Sequence, residues 1–287
     1  MSTTPLKFSY AKIPNMGDLL NELILDHLFH ISYHNVERWT DWDLLGIGSN
    51  LISAFPRKYP GFHPLWKIRH LRDGWIKPRQ YIWGTGFMIE PDVRRYTGGG
   101  WLRFLAIRGA LSKAIAEQLC GQKLDVVLGD GGLLASLLLQ ESIPKTHQVG
   151  LIPHFKEKAA PQAQWLYQKY PEALQIDLQK DPLLVVQQIA QCEFIFSSSL
   201  HGLIVADSLH VPNMRLKLSD MPMGPGFKFD DYYSGYGVEC TAYQVTKDHV
   251  PTLDELKKNY SISWDLVDEK REKLYQVLQG YLREREL

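Results

Sequence analysis

The sequence predicts an α/β fold of two Rossmann-like domains facing across a cleft. Short apolar runs alternate with stretches of helical periodicity along the chain, and this alternation runs through twice, before and after Gly121. At 287 residues the chain is too long for one small core and suits two domains of about 100–150 residues each. We place an N-terminal domain at 1–121, a C-terminal domain at 122–262 and a closing helix across the back at 263–287.

Composition narrows the function classes. Hydrophobic residues at 45% and charged residues at 22% describe a soluble globular protein. The 32 basic and 32 acidic side chains cancel, so no global field favours nucleic acid, and anion binding must rest on local patches. Cys120, Cys192 and Cys240 are odd in number and far apart, which fits neither a disulfide framework nor a zinc site. A reducing cytoplasm suits them. Met1 to Tyr10 lacks the charged start and apolar core of a signal peptide, and apolar runs such as Leu133 to Leu139 are too short to span a membrane. We expect a cytoplasmic protein for which peripheral contact with the inner membrane face remains open.

In chain order, Leu6 to Tyr10 alternates as a first strand, and Asn15-Met16-Gly17-Asp18-Leu19-Leu20-Asn21 leads into a helix from Glu22 to Phe29. Gly17 admits close backbone approach to a ligand, while Asn15, Asp18 and Asn21 are polar groups beyond a strand, where α/β sheets bind ligands. Asp43 to Gly48 is a second strand. Arg57 to Arg79, basic and rich in His and Trp, reads as a long surface loop able to cover a site or contact a polymer. Gln80 to Gly86 is a third strand and Trp101 to Ile107 a fourth. A helix from Ala110 to Leu119 follows, closed by Gly121. Arg108, at the carboxyl end of its strand, offers a planar charged fork suited to phosphate or carboxylate; a salt bridge is the alternative.

The second half repeats the pattern. Asp125 to Leu128 is a strand, and Gly129-Asp130-Gly131-Gly132 opens a helix through Leu139. Gln148 to Ile152 is a strand ending at Pro153-His154-Phe155; Ala160 to Tyr170 is a helix, Leu174 to Asp177 a short strand and Asp181 to Gln191 a helix. The stretch around which the chain is organised comes next. Phe194-Ile195-Phe196 reads as a buried strand, Ser197-Ser198-Ser199 as a turn of good N-caps, and Leu200-His201-Gly202 as the start of a helix through Leu209. Free N–H groups and the positive end of a helix dipole make such a turn an anion site, with His201 in its first helical turn. Asn213 to Leu216 adds a strand. Phe227-Lys228-Phe229-Asp230-Asp231-Tyr232-Tyr233-Ser234-Gly235 then reads as an aromatic loop for stacking on a sugar while Lys228 meets a negative group. A last helix, Ser263 to Tyr281, sets Val267, Leu274, Leu278 and Tyr281 on one face.

Taken in order, Asn15-Met16-Gly17-Asp18, Trp83-Gly84-Thr85-Gly86, Ile107-Arg108-Gly109, Gly129-Asp130-Gly131-Gly132-Leu133-Leu134, Pro153-His154-Phe155, Ser197-Ser198-Ser199-Leu200-His201-Gly202 and the Phe227–Tyr233 stretch resemble the polysaccharide pyruvyltransferase family, and most closely its exopolysaccharide ketal-pyruvate branch of xanthan and succinoglycan type. The resemblance implies a GT-B-like pair of domains and transfer of pyruvate from phosphoenolpyruvate to a sugar. One position departs from it: other branches carry arginine just before the Leu-His pair, where this chain has Ser199.

Forming a ketal from phosphoenolpyruvate needs an acid for the methylene carbon and a base for the attacking hydroxyl. We expect His201 as acid and Asp18 as base, with Arg108, Ser198, Ser199 and Lys228 holding phosphoenolpyruvate, and with Asn15, Asn21, Asp130, His154, Tyr232 and Tyr233 on the acceptor side. No metal and no cofactor enter this scheme; the partners are phosphoenolpyruvate and a glycan acceptor, free or lipid-linked. A GT-B glycosyltransferase using a nucleotide sugar is the alternative, because a comparable helix start binds diphosphates. A catalytically silent sugar-binding protein is a third reading.

Overall fold

The computed structural model describes residues 4–36, 42–58, 79–219, 226–239 and 241–286. The chain opens with β1 (Leu6–Ser9) and α1 (Met16–Leu23), which runs on as a π-helical turn, Ile24–Phe29. β2 (Tyr33–Asn35), β3 (Leu44–Leu45), β4 (Gln80–Ile82), β5 (Leu102–Phe104), β6 (Ala106–Ile107) and α2 (Ala110–Cys120) follow. Next are β7 (Val127–Leu128), a 3-10 helix over Gly131–Leu138, β8 (His147–Ile152), α3 (Pro161–Lys169), β9 (Leu174–Gln175) and α4 (Pro182–Ala190). β10 (Cys192–Ser197), α5 (Leu200–Ser208), β11 (Asn213–Lys217), α6 (Phe227–Ser234), β12 (Tyr243–Gln244), α7 (Leu253–Asn259) and α8 (Trp264–Glu286) complete it.

Two five-stranded sheets result, ordered β2-β1-β3-β4-β5 and β12-β11-β10-β8-β9, with every pairing parallel. Parallel strands must be covered on both faces, which is why Phe194-Ile195-Phe196 and Val149-Gly150-Leu151-Ile152 are apolar without interruption. β6 pairs with β7, and a parallel bridge from Thr85 to Ile107 connects this pair to the first sheet. The architecture is α/β with parallel sheets, as expected. Its largest core cluster draws from both sheets: Phe8, Met16 and Leu20 share it with Val185, Ile189, Leu203 and Ile204. Main chain also crosses, Met16 N–H donating to Leu178 O at 2.7 Å. In α8, Val267, Leu274, Leu278 and Tyr281 are all buried. The helix touches both sheets' surroundings, accepting from Trp83 Nε1 at Leu274 O and pairing Asp268 with His210.

Several sequence expectations are corrected. The first helix starts at Met16, six positions before Glu22, so Asp18 lies in its first turn and not on a loop. Trp101 to Ile107 breaks into two short strands at Leu105, and β2 had no alternation to announce it. The Phe227–Gly235 loop is a helix: Phe229, Tyr232, Tyr233 and Tyr236 fall at i, i+3, i+4 and i+7, so its apolar face turns inward. Residues 59–78 of the basic loop, 221–225 and Cys240 lie outside the described residues.

Candidate functional site

The strand-turn-helix forms as its sequence requires. β10 lies inside the second sheet, between β8 and β11, and its last residue, Ser197, spends its hydroxyl within the turn, donating to Ile152 O (3.1 Å) and accepting from Ser199 N–H (3.0 Å). Ser199 sits at the N-cap of α5 without a side-chain capping bond. Ser198 Oγ accepts from His154 N–H (2.8 Å) and donates to Glu157 Oε2 (2.7 Å), joining the turn to the loop after β8.

His201 projects from the first turn of α5 toward α1, and Gly17 makes room for it. A β-carbon at Gly17 would stand 1.9 Å from His201 Nδ1, so glycine there seats the imidazole and not, as the sequence suggested, a ligand. Burial, then the nearby charges of Lys228 and Arg108, push His201 down to about 3, a neutral ring at rest. Its Nε2 stands 4.0 Å from Asp130 Oδ1.

Lys228, in the first turn of α6, is the electrostatic centre. Its ammonium couples to Asp18 of α1, Glu157 of the loop after β8, Arg215 of β11 and Arg108; burial first, then the two arginines, lower it to about 8. The same lysine acts on His154, which burial pushes down to about 4, and on His201. Burial raises Asp18, against a hydrogen bond from Asn15 Nδ2 (3.0 Å) and the pull of Lys228. The structure thus gathers Asp18, Asn15, His154, Ser198, Ser199, His201 and Lys228 around the carboxyl ends of β1, β8 and β10, the side on which α/β sheets bind ligands. Among the described residues no group of three or more His, Cys, Asp or Glu stands ready to hold a metal.

Other predicted site residues lie elsewhere. Arg108 is fully buried and its donors are committed: Nε to Asp231 Oδ2 (2.9 Å), Nη1 to Ser49 Oγ (2.8 Å) and Nη2 to Phe87 O (2.5 Å). Its charge reaches His201 and Lys228 from there, lowering both. Asn21 is buried with both ends of its amide on the main chain of Ile47. Asp130 is fully buried at the N-cap of the 131–138 helix, accepting from Gly132 N–H (2.8 Å). Tyr232 faces the core, its hydroxyl on Asp207 Oδ2 (2.8 Å), and Tyr233 packs edge-on against it, so in this conformation neither ring face is open to a sugar. A helical reading of Phe227–Ser234 would have turned both inward.

Glu157 is the residue that sequence reasoning missed. Its carboxylate accepts from Ser198 Oγ and Ser219 Oγ and is raised by burial while Lys228 pulls it down. The only signal available was its place three residues past His154, in a stretch without periodicity.

Comparison with known proteins covers most of this site but stops short of Lys228. The sequence model of the family described as Polysaccharide pyruvyl transferase matches residues 15–217, which include Asn15, Asp18, His154, Glu157 and His201. An uncharacterized protein of Acanthamoeba polyphaga mimivirus is 30% identical over 167 residues, covering 57% of this chain and 57% of that protein. The chain therefore spans little more than half the length of that relative.

Proposed function

The chain belongs to the polysaccharide pyruvyl transferase family, and from that premise we propose that it transfers pyruvate from phosphoenolpyruvate to two hydroxyls of a polysaccharide or its repeat-unit precursor, forming a ketal of the xanthan and succinoglycan type. The observation that carries the reading is the convergence on Lys228 of Asp18, His154, Glu157 and His201 from both sheets. A cation half withdrawn from water, beside a free helix start and two neutral imidazoles, suits a small, multiply charged anion. Phosphoenolpyruvate sets its phosphate and carboxylate against Lys228 and the α5 N-terminus. His201 gives a proton to the methylene carbon while Asp18 takes the proton of the attacking hydroxyl. The second hydroxyl then displaces phosphate, its proton leaving with the phosphate. Neither metal nor cofactor is needed in this scheme.

The test is phosphate release from phosphoenolpyruvate with a panel of glycosides, followed by mass analysis of the acceptor. A pyruvate ketal on the acceptor is the expected product. Transfer from a uridine diphosphate sugar, with phosphoenolpyruvate untouched, would replace this reading by a glycosyltransferase.

A further inference from the structure

We infer that Asp130 is the counter-ion that lets His201 carry a proton, a positioning residue set behind the acid and away from the substrate. The inference rests on the reading of His201 as the general acid. Five buried side-chain polar atoms lack a hydrogen-bond partner among the described residues, and two of them belong to this pair, Asp130 Oδ2 and His201 Nε2. The side chains approach to 4.0 Å, between Nε2 and the Oδ1 that caps Gly132, with Asp130 wholly buried and 12% of His201 exposed. Gly17 abuts the Nδ1 side of the ring. Nε2 is thereby the inward nitrogen, and Nδ1 is turned toward α1.

The charges around the ring leave this task to Asp130. Lys228 from α6 and Arg108 beyond β6 both oppose protonation of His201. Asp231 is committed to Arg108 and Ser112, Asp18 is bonded to Asn15 and coupled to Lys228, and Tyr236, which lies near Asp130, is neutral. Burial raises Asp130 to about 7, so the pair holds a proton near neutrality and holds it on the carboxyl. When a phosphate dianion enters beside Lys228, the balance tips. As the two side chains close from 4.0 Å to hydrogen-bond distance, the O–H bond of Asp130 breaks and Nε2–H forms, giving a carboxylate and an imidazolium. Nδ1–H then breaks as the alkene π pair of the donor makes the new C–H bond; Nδ1 keeps its electron pair, and Nε2–H stays on the carboxylate.

The experiment is nitrogen-15 spectroscopy of labelled histidine in the whole chain at about pH 6.5, where imidazole charge is readable, with inorganic phosphate as probe and His201 assigned by its loss in His201→Gln. In the wild type, phosphate converts His201 to imidazolium. In Asp130→Asn, whose amide oxygen can still cap Gly132, phosphate binds within about threefold of wild type but His201 stays neutral, and kcat falls by about 100-fold or more with KM for phosphoenolpyruvate little changed. A wild-type His201 that stays neutral with phosphate bound overturns the inference without any variant, as does an imidazolium that survives Asp130→Asn. An imidazolium lost in the variant, with no turnover of phosphoenolpyruvate by either protein, would sink pyruvyl transfer and leave the pair standing.

Discussion

Arg108 and Asp231, 123 positions apart, form an ion pair at 2.9 Å in which neither side chain reaches solvent. Asp231 also accepts from Ser112 N–H and Ser112 Oγ, both at 2.7 Å, and a β-carbon at Gly109 would collide with its main-chain oxygen. The pair therefore clamps α6, and with it Lys228, onto the start of α2. We expect it to serve as a strut of the site.

Arg108→Ala should accordingly lower stability more than donor affinity. Stripping a buried charge of its partner costs about 3–5 kcal/mol, and urea titration should show the midpoint falling by a corresponding amount. A variant as stable as wild type, with phosphoenolpyruvate binding lost, would restore the arginine to the donor site.

For His201→Gln we expect turnover to drop by about 100- to 10,000-fold, the range for a lost general acid, with the thermal midpoint close to wild type. An early-melting variant whose folded fraction turns over normally would make His201 a packing residue and leave His154, also beside Lys228, as the next acid to test.

Gly17→Ala separates helix propensity from site geometry. In the interior of a helix alanine is favoured over glycine by about 1 kcal/mol, yet here its methyl would overlap the imidazole of His201. We expect a folded protein, with overpacking costing about 1–3 kcal/mol, in which His201 is displaced and turnover collapses. Wild-type kcat in this variant would show that the ring need not stay where it is.

Donor binding should follow the charge of Lys228. The protonated amine binds an anion, so affinity for phosphoenolpyruvate declines as pH rises through about 8, the value to which burial and the neighbouring arginines bring it. Calorimetric titrations across that range should show the decline, and Lys228→Met should bind weakly at every pH. A decline that persists in Lys228→Met would assign it to another group.

Asp207 gives a prediction about stability. Burial raises it to about 7 even though Asn213, Tyr232 and Tyr260 donate to it. Between the unfolded value of about 3.9 and about 7, the folded chain holds a proton that the unfolded chain has lost. The Asp207 contribution is therefore greatest at the acid end of that window and is lost as pH rises. His154 and His201, both lowered by burial, act in the opposite sense, so the quantity to measure is the stability of Asp207→Asn minus that of wild type. It should rise from pH 4 to about 7 and level off above; a flat difference would mean that Asp207 is already ionised at low pH.

Much of this was legible in the sequence wherever period and punctuation agree. Cys192 to Ser208 reads as strand, turn and helix because an unbroken apolar run meets three serines and then a 3.6-residue repeat. The seat of His201 at a helix start followed directly. Phe227 to Ser234 was misread because a Pro- and Gly-rich run just before it suggested a continuing loop, although its aromatic spacing was helical. The fate of Arg108 could not be read locally, because its partner is 123 residues away and isolated arginines look alike whether they serve a ligand or a carboxylate. Glu157 was hidden for the same reason, its partners Ser198 and Ser219 being 41 and 62 residues distant.

The core that Phe8, Met16 and Leu20 share with Val185, Ile189 and Leu203 sets how the molecule comes apart. Beside its own smaller cluster, Leu45, Ile82 and Leu102 in one half and Val149, Leu151 and Phe196 in the other, each half leans on this shared one, and we expect neither to stay folded once its counterpart opens. Heating should yield one calorimetric transition with matching van't Hoff and calorimetric enthalpies. Amides of β1 and β10 should exchange through the same global event, and fragments cut near Gly121 should regain structure only when mixed.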